Sequence, residues 1–279
     1  MKNDETTCID TEFSKQNAKE VFGTLEWASK NANFISGCEH DCKYCYSKEM
    51  AIRFKRKTAE NWKNEEVRGE SFKKKFKKID GKYMFPSSHD IHPMHLNESL
   101  FFLEKILEAG NDVLIVTKPH FECIEAICRE FAAFKDNIMF RFTIGSVNSD
   151  TLKFWEAGAP CYEERLSCLK FAFALGFETS LSCEPMLDNN VENLINETLP
   201  YITDSIWIGK ANFLIKRLKT NKCNSKEEIR KAEELIEWQK DENIKLLYKR
   251  FKANPKIKWK ESIKKVVDIR ISTTIGSDR

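Results

Sequence analysis

This sequence of 279 residues is defined first by what it omits. It has no run of 18 apolar residues, so no segment is built to cross a bilayer as a helix and no membrane partner is expected. Its opening residues, MKNDETTCIDTEF, lack the basic and then apolar order of a secretory signal, and the expectation is a cytoplasmic protein. There is no internal repeat, no Pro-, Gly- or Ser-rich linker and no composition break that forces two domains. One further absence concerns cysteine. Ten are present, yet only one C-x2-C pair occurs, whereas structural zinc usually takes two such pairs, or one pair plus histidines at helical spacing. In a reducing compartment, clustered thiols are more often metal ligands than disulfides.

What is there suits a globular domain. The chain is 41% hydrophobic and holds 20 Phe and 6 Trp, ample for a large core. Formal net charge is only +3 but unevenly spread. Residues 53–82 carry 12 Lys/Arg against 5 Asp/Glu, and residues 245–265 carry 9 against 1. Two basic stretches on an otherwise acidic chain suggest a polyanionic partner, with a solvated lysine-rich surface as the plainer reading.

Short runs rich in Val, Ile and Phe predict strands at Asn33–Ser36, Lys82–Pro86, Val113–Thr117, Ile138–Ile144, Thr179–Cys183 and Ser205–Ile208. Helical periodicity fills the gaps at Leu96–Ala109, Glu122–Phe134, Glu163–Leu175 and Val191–Leu199, with Gly110 and Gly176 as stop signals. The alternation predicts an α/β fold of parallel βαβ units, as an open sheet or a partial barrel. In barrel enzymes the chemistry sits in loops after the strands' C-terminal ends. The unusual residues fall there: the cysteine cluster after the first strand, SSHDIHPMH after the second, TKPH after the third, GSVN after the fourth and CEPM after the fifth.

The densest of these loops is GCEHDCKYCY, with Cys38, Cys42 and Cys45 in a C-x3-C-x2-C arrangement. Three thiols are one ligand short of a tetrahedral zinc site, and His40 in the same loop offers a fourth. Alternatively, three thiolates hold three irons of a cubane cluster and leave the fourth iron open. His89, His92 and His95 also invite a metal reading, but Pro93 interrupts any helix on which they would align.

With Tyr44 just before its third cysteine, this loop resembles the signature of the radical SAM superfamily. VLIVTKPHFECIEAI, FRFTIGSVNSDTLKFWEAGAPCYEERLSCLKFAFALGF and SLSCEPML extend the likeness to the spore photoproduct lyase branch over roughly residues 30–210. The resemblance implies a partial (βα)6 TIM-like barrel over residues 31–210, an N-terminal extension at 1–30, and a small helical, basic extension at 211–279. It implies a [4Fe–4S] cluster on the three cysteines, S-adenosylmethionine chelated at the open iron, and a flavodoxin- or ferredoxin-like electron donor. One electron would release a 5′-deoxyadenosyl radical to abstract a substrate hydrogen. Cofactor contacts are expected from Tyr44, Ser88, Asp90, Lys118, Thr143, Ser146, Asn148 and Arg165. Lys118 would face the cofactor's carboxylate, and Ser88 and Asp90 its ammonium. Arg165 has Glu156 as an alternative partner. Tyr46 matches a family tyrosine on the substrate side.

In the lyase proper, a cysteine of the second-strand loop returns a hydrogen atom to the product radical. Ser87 stands there here, and an O–H bond is too strong for that task. This departure argues against thymine-dimer repair. Cys183 is the substitute donor to consider, with buried cysteine as the plainer reading. The expected substrate is a nucleic acid or nucleotide-like molecule met through Arg53–Lys82 and Lys245–Lys265. The alternatives are a peptide or small metabolite, or a non-enzymatic nucleic-acid-binding module with a structural metal site.

Overall fold

A computed structural model of the chain describes residues 19–276. Most of the N-terminal extension expected at 1–30, together with Cys8, lies outside the described residues. After a 3-10 turn at Gly23–Glu26 come β1 (Lys30–Asn31), β2 (Ile35–Ser36), the cysteine loop and α1 (Tyr46–Arg53). β3 (Glu66–Val67) returns antiparallel to β2, and α2 (Gly69–Phe72) follows. β4 (Lys82–Phe85), α3 (Leu96–Glu108), β5 (Asp112–Thr117), α4 (Phe121–Glu130) and β6 (Ile138–Thr143) make two successive βαβ units. α5 (Ser149–Trp155) and α6 (Tyr162–Ala174) lead to β7 (Glu178–Cys183), and α7 (Val191–Thr198) leads to β8 (Ile206–Ile208). Last come α8 (Leu214–Thr220), α9 (Lys226–Trp238), α10 (Asp241–Phe251), β9 (Ile257–Trp259) and α11 (Glu261–Lys264).

Seven strands pair in the order β1-β4-β5-β6-β7-β8-β9, every pair parallel. Among the described residues β1 and β9 are the sheet's edges, so the pairing is that of an open sheet, as a partial barrel requires. Three features depart from the sequence reading. The first parallel strand is Lys30–Asn31 rather than Asn33–Ser36, because Asn33 leaves the sheet and its Oδ1 accepts hydrogen bonds from the backbone of Ser87 (2.8 Å) and Ser88 (3.0 Å). The C-terminal segment is not only helical: β9 adds a seventh strand beside β8. The helices match closely, and Gly110 and Gly176 take the positive φ (+76° and +77°) that ends α3 and α6. The expected Glu122–Phe134 helix is shorter, since α4 stops at Glu130 and gives way to a 3-10 turn at Ala132–Asn137.

Strand periodicity sorts the side chains into two sets. Phe85, Ile115, Phe140, Leu181, Cys183 and Ile208 share one face by register and meet the helices; Phe85, for instance, packs on Phe102 of α3 at 5.3 Å between ring centroids. Met84, Val116, Arg141, Thr143, Ser182 and Trp207 share the concave face. That face is covered by Trp27, whose indole meets Trp207 at 5.6 Å and lies under the Arg141 guanidinium at 4.7 Å.

Candidate active site

The cysteine loop is held by backbone contacts that only glycine permits. Gly37 has φ +101°, and a Cβ there would sit 2.6 Å from the Trp62 carbonyl oxygen and 2.7 Å from that of Asn64. The Cys38 N–H donates to Trp62 O (3.0 Å), which fixes the loop on the segment before β3. Cys45 caps α1: its Sγ accepts from the Lys48 N–H at 3.3 Å, so the positive end of the helix faces a thiol. All three cysteines are free. Burial pushes each of their thiols above its ordinary pKa.

The three thiols open into a cleft of about 540 Å³ at the C-terminal ends of the strands. Asp90 and Lys118 stand beside them. Asp90 Oδ1 accepts from the Thr117 hydroxyl (2.9 Å) and the Lys118 N–H (2.7 Å), while Oδ2 lies 3.0 Å from His40 Nδ1 and 3.6 Å from Lys118 Nζ. Burial opposes ionisation of Asp90, but Lys118 and His40 hold its carboxyl well below the usual range. Burial likewise opposes charge on Lys118, and Asp90 with the neighbouring Cys42 raises its pKa well above an ordinary lysine. The pair is therefore ionised.

Of the residues singled out from sequence, Cys38, Cys42, Tyr44, Cys45, Tyr46, Ser88, Asp90, Lys118 and Thr143 all line this cleft. Four others do not. Arg165 is fully buried: it pairs with Glu156 at 2.6 Å and donates to the carbonyls of Pro160 (2.8 Å) and Thr143 (3.2 Å). Because the Tyr44 hydroxyl donates to the same Glu156, Arg165 supports the tyrosine from behind instead of reaching a cofactor. Ser146 is bonded to Asp188, and Asn148 caps α5 by accepting from Asp150 N and Thr151 N. Cys183 belongs to the helix-facing set, where strand parity turns its thiol away from the cleft.

The histidines behave otherwise than a metal reading requires. His40, Cys38 and Asp90 are close enough to form a potential metal group, with donor atoms within 4.8 Å of one another. Of the His40 ring nitrogens, Nε2 is hydrogen-bonded to His120 Nε2 at 2.8 Å, while Nδ1 lies 3.0 Å from Asp90 Oδ2 without hydrogen-bond alignment. His89 packs edge-on against Phe34, and burial lowers its pKa to about 4. His95 faces Glu65 and Glu98.

The far side of the cleft was missed. Glu184, Gly209 and Lys260 directly follow the registered row Cys183, Ile208 and Trp259 at the ends of β7, β8 and β9. Lys260 is 1% exposed and touches Glu26 (2.6 Å), Glu184 (3.5 Å), the Gly23 carbonyl (3.2 Å) and the Trp27 ring (4.1 Å). At Gly209 a Cβ would meet Glu184 Cγ at 2.9 Å and Lys260 Cγ at 3.1 Å, so glycine makes room for the pair. Burial raises the Glu184 carboxyl above its usual pKa. The only advance signal was the position of CEPM after a strand.

Both basic stretches also take unexpected places. Lys73, Lys74, Lys75, Lys77 and Lys78 are exposed but precede β4, and Lys78 donates to the Gly110 carbonyl just before β5. They lie at the N-terminal ends of the strands, away from the cleft. Phe72 and Phe76 turn inward onto Phe102. In the second stretch Trp259, Lys260 and Lys264 are buried, since β9 runs through it.

No protein-family profile matches this chain, and no curated protein matches its sequence. Solved structures do. SuiB of Streptococcus suis bound to S-adenosylmethionine superposes with a TM-score of 0.51 at 11% identity, covering 89% of this chain and 54% of SuiB. A mutant spore photoproduct lyase with bound AdoMet and dinucleoside spore photoproduct gives 0.51 at 15% identity, covering 88% of this chain and 79% of the lyase. Another lyase mutant, with the dinucleoside alone, gives 0.50 at 15%, covering 75% and 64%. The chain thus spans about half of SuiB and more of the lyase. Its architecture, a parallel sheet flanked by helices, is similar in fold to these two S-adenosylmethionine-binding enzymes.

Proposed function

We propose that the protein is a radical SAM enzyme whose Cys38, Cys42 and Cys45 hold a [4Fe–4S] cluster and whose adjoining cleft binds S-adenosylmethionine. The observation that carries this reading is the convergence of three free, buried thiols on the ionised Asp90–Lys118 pair. The donor set fits: burial alone disfavours three thiolates, and coordination to a multi-iron cation offsets that penalty. When bound, the cluster supplies the electron for reductive cleavage of S-adenosylmethionine. Lys118 presents an ammonium to the cofactor's carboxylate, and Asp90 and Ser88 present acceptors to its amino group. Tyr44, held by Glu156, and Thr143, on the concave face, complete the walls.

Tyr46 is 55% exposed at the mouth, on the substrate side, with the Arg217 guanidinium 5.5 Å from its ring centre. Other exposed rings nearby also carry cations: Phe22 with Lys265 at 4.8 Å, and Phe213, held at φ +54° beside Asn212, with Lys216 at 6.0 Å. Aromatic faces interleaved with cations suit a nucleic-acid or nucleotide-like substrate, whose bases stack while its phosphates meet charge. Hydrogen return by Cys183 is not supported, given where its thiol points, and Ser87 offers only an O–H. Repair of spore photoproduct is therefore not the proposed reaction. A flavodoxin- or ferredoxin-like protein would deliver the electron.

Anaerobic reconstitution should yield about four irons and four sulfides per chain, and reduction should yield 5′-deoxyadenosine from S-adenosylmethionine. Stoichiometric zinc without sulfide would refute the assignment. Oligonucleotide binding followed by anisotropy should weaken with salt, at a log–log slope near −2 if about three rim cations meet phosphates of a single strand. Neutralising Lys216, Arg217 and Lys265 should flatten that slope, and neutralising Lys73–Lys78 should not. A salt-independent affinity would redirect the search to peptides or small metabolites.

A further inference from the structure

We propose that the Trp62 indole N–H donates a hydrogen bond to a sulfur of the bound cluster and so raises the cluster's reduction potential. The inference rests on the cluster assignment above and adds a residue from outside the cysteine loop.

Two observations meet at this side chain. Trp62 packs against Cys38, Cys45 and Ala51 and lines the cleft into which the thiols open. It is 3% exposed, yet its Nε1 is buried without a hydrogen-bond partner among the described residues. An indole nitrogen can only donate, and buried donors are nearly always paired, so an acceptor is missing beside it. Trp27 and Trp207 also have unpaired Nε1 atoms, but they lie with Arg141 in the aromatic and cationic layer of the concave face. What sets Trp62 apart is its contact with two proposed cluster ligands. A thiolate or sulfide is the acceptor that this neighbourhood gains when a cluster binds.

The chain ties the indole to this place. Residues 54–65, between α1 and β3, turn back at Thr58 and Asn61, where each backbone N–H donates to the other's side chain (2.7 and 3.3 Å). Lys57 is buried and closes the segment, donating to the Asn64 carbonyl at 2.9 Å and meeting Glu66 at 2.7 Å. The Trp62 carbonyl takes the Cys38 N–H, and the bare Cα of Gly37 lets the two backbones touch. The ring is thus fixed relative to Cys38 by a main-chain bond as well as by packing.

The expected effect has a definite sign. Reduction adds one negative charge to the cluster, and a donor at its sulfur stabilises that charge. Removing the N–H therefore lowers the potential. Admitting water does the opposite, because polar solvent also favours the more highly charged state. Loss of the donor and loosening of the packing pull in opposite directions.

The test is a redox titration of the reconstituted protein without S-adenosylmethionine, followed by electron paramagnetic resonance. Trp62→Phe keeps an aromatic ring and deletes the donor. Its iron and sulfide content should match wild type. At a fixed potential its ratio of reduced to oxidised cluster should fall about tenfold, which for one electron is a midpoint lower by roughly 59 mV. Trp27→Phe deletes the other unpaired N–H of the cleft and should leave the midpoint in place. An unchanged or raised midpoint in Trp62→Phe, or equal shifts in the two variants, would overturn the proposal. If S-adenosylmethionine affinity fell while the midpoint held, the N–H would belong to that ligand instead. Should Trp62→Phe lose its cluster, Trp27→Phe protein grown with tryptophan isotopically labelled at the indole nitrogen decides. A hyperfine coupling between that nitrogen and the reduced cluster supports the hydrogen bond, and its absence refutes it. A wild-type protein that takes up no iron and sulfide would overturn the cluster reading itself, a separate and recognisable outcome.

Discussion

The two halves of the cleft are assembled from very different distances along the chain. The near half, Cys38 to Tyr46 with Asp90, Lys118 and His120, comes from three loops after strands in the first part of the chain. Its polar groups gather densely: Asp90 accepts from the Thr117 hydroxyl and the Lys118 N–H, and its other oxygen lies 3.0 Å from His40 Nδ1 and 3.6 Å from Lys118 Nζ. The far half joins Gly23 and Glu26 to Glu184 and Lys260, with Gly23 and Lys260 237 positions apart in the chain. One buried ammonium holds it together. The first half is suited to a ligand of fixed shape; the second has a mouth of exposed rings and cations that leaves more freedom to its occupant.

That contrast breaks most completely at the cysteines. Replacing Cys38, Cys42 or Cys45 with Ala should abolish iron binding, while Cys123→Ala and Cys223→Ala should leave iron content intact, as read by metal analysis. Next in size is Lys260→Met. The substitution removes the ammonium that both the 1% exposed Glu26 and Glu184 face. A loss of roughly 3–5 kcal/mol is expected in denaturant unfolding, the scale for breaking a buried ion pair. A loss within the noise would mean that the far half does not depend on this ammonium.

The near half should respond in binding more than in stability. Lys118→Ala is expected to cost about 1–3 kcal/mol in S-adenosylmethionine affinity, the range for a hydrogen bond to a charged group. Unchanged affinity would remove Lys118 from the site. The smallest effect is expected at Cys183. Facing the helices, Cys183→Ala should cost about 1 kcal/mol of stability and leave the rate of 5′-deoxyadenosine formation unchanged. A large drop in that rate would show that strand parity misassigns its side chain.

The same contrast explains what could be read in advance. The cysteine loop, five of the seven strands and the main helices were legible because each depends on residues close in sequence: alternating apolar runs, stop glycines and three thiols within eight positions. Asp90 and Lys118 were singled out through the resemblance, in the loops that follow β4 and β5. For Arg165 and Cys183 the sequence left two readings open, and a helix face and a strand parity decide for the Glu156 partner and the buried cysteine. Lys260 was read as surface charge, because composition cannot show that Glu26 and Glu184 fold around it. The strand Ile257–Trp259 was hidden in the same way, inside a lysine-rich stretch whose apolar residues pair only with β8.

Lys260 also has a consequence for the order in which the site is built. On a ribosome the near half emerges by His120, while Lys260 follows 140 residues later. At a synthesis rate of about 5–20 residues per second, that interval is roughly 7–28 s. During that time the Lys260 ammonium is not yet there to join Glu26 and Glu184, and the wall of the cleft that it builds is incomplete. Metal delivery would thus meet a more accessible loop during translation than after release.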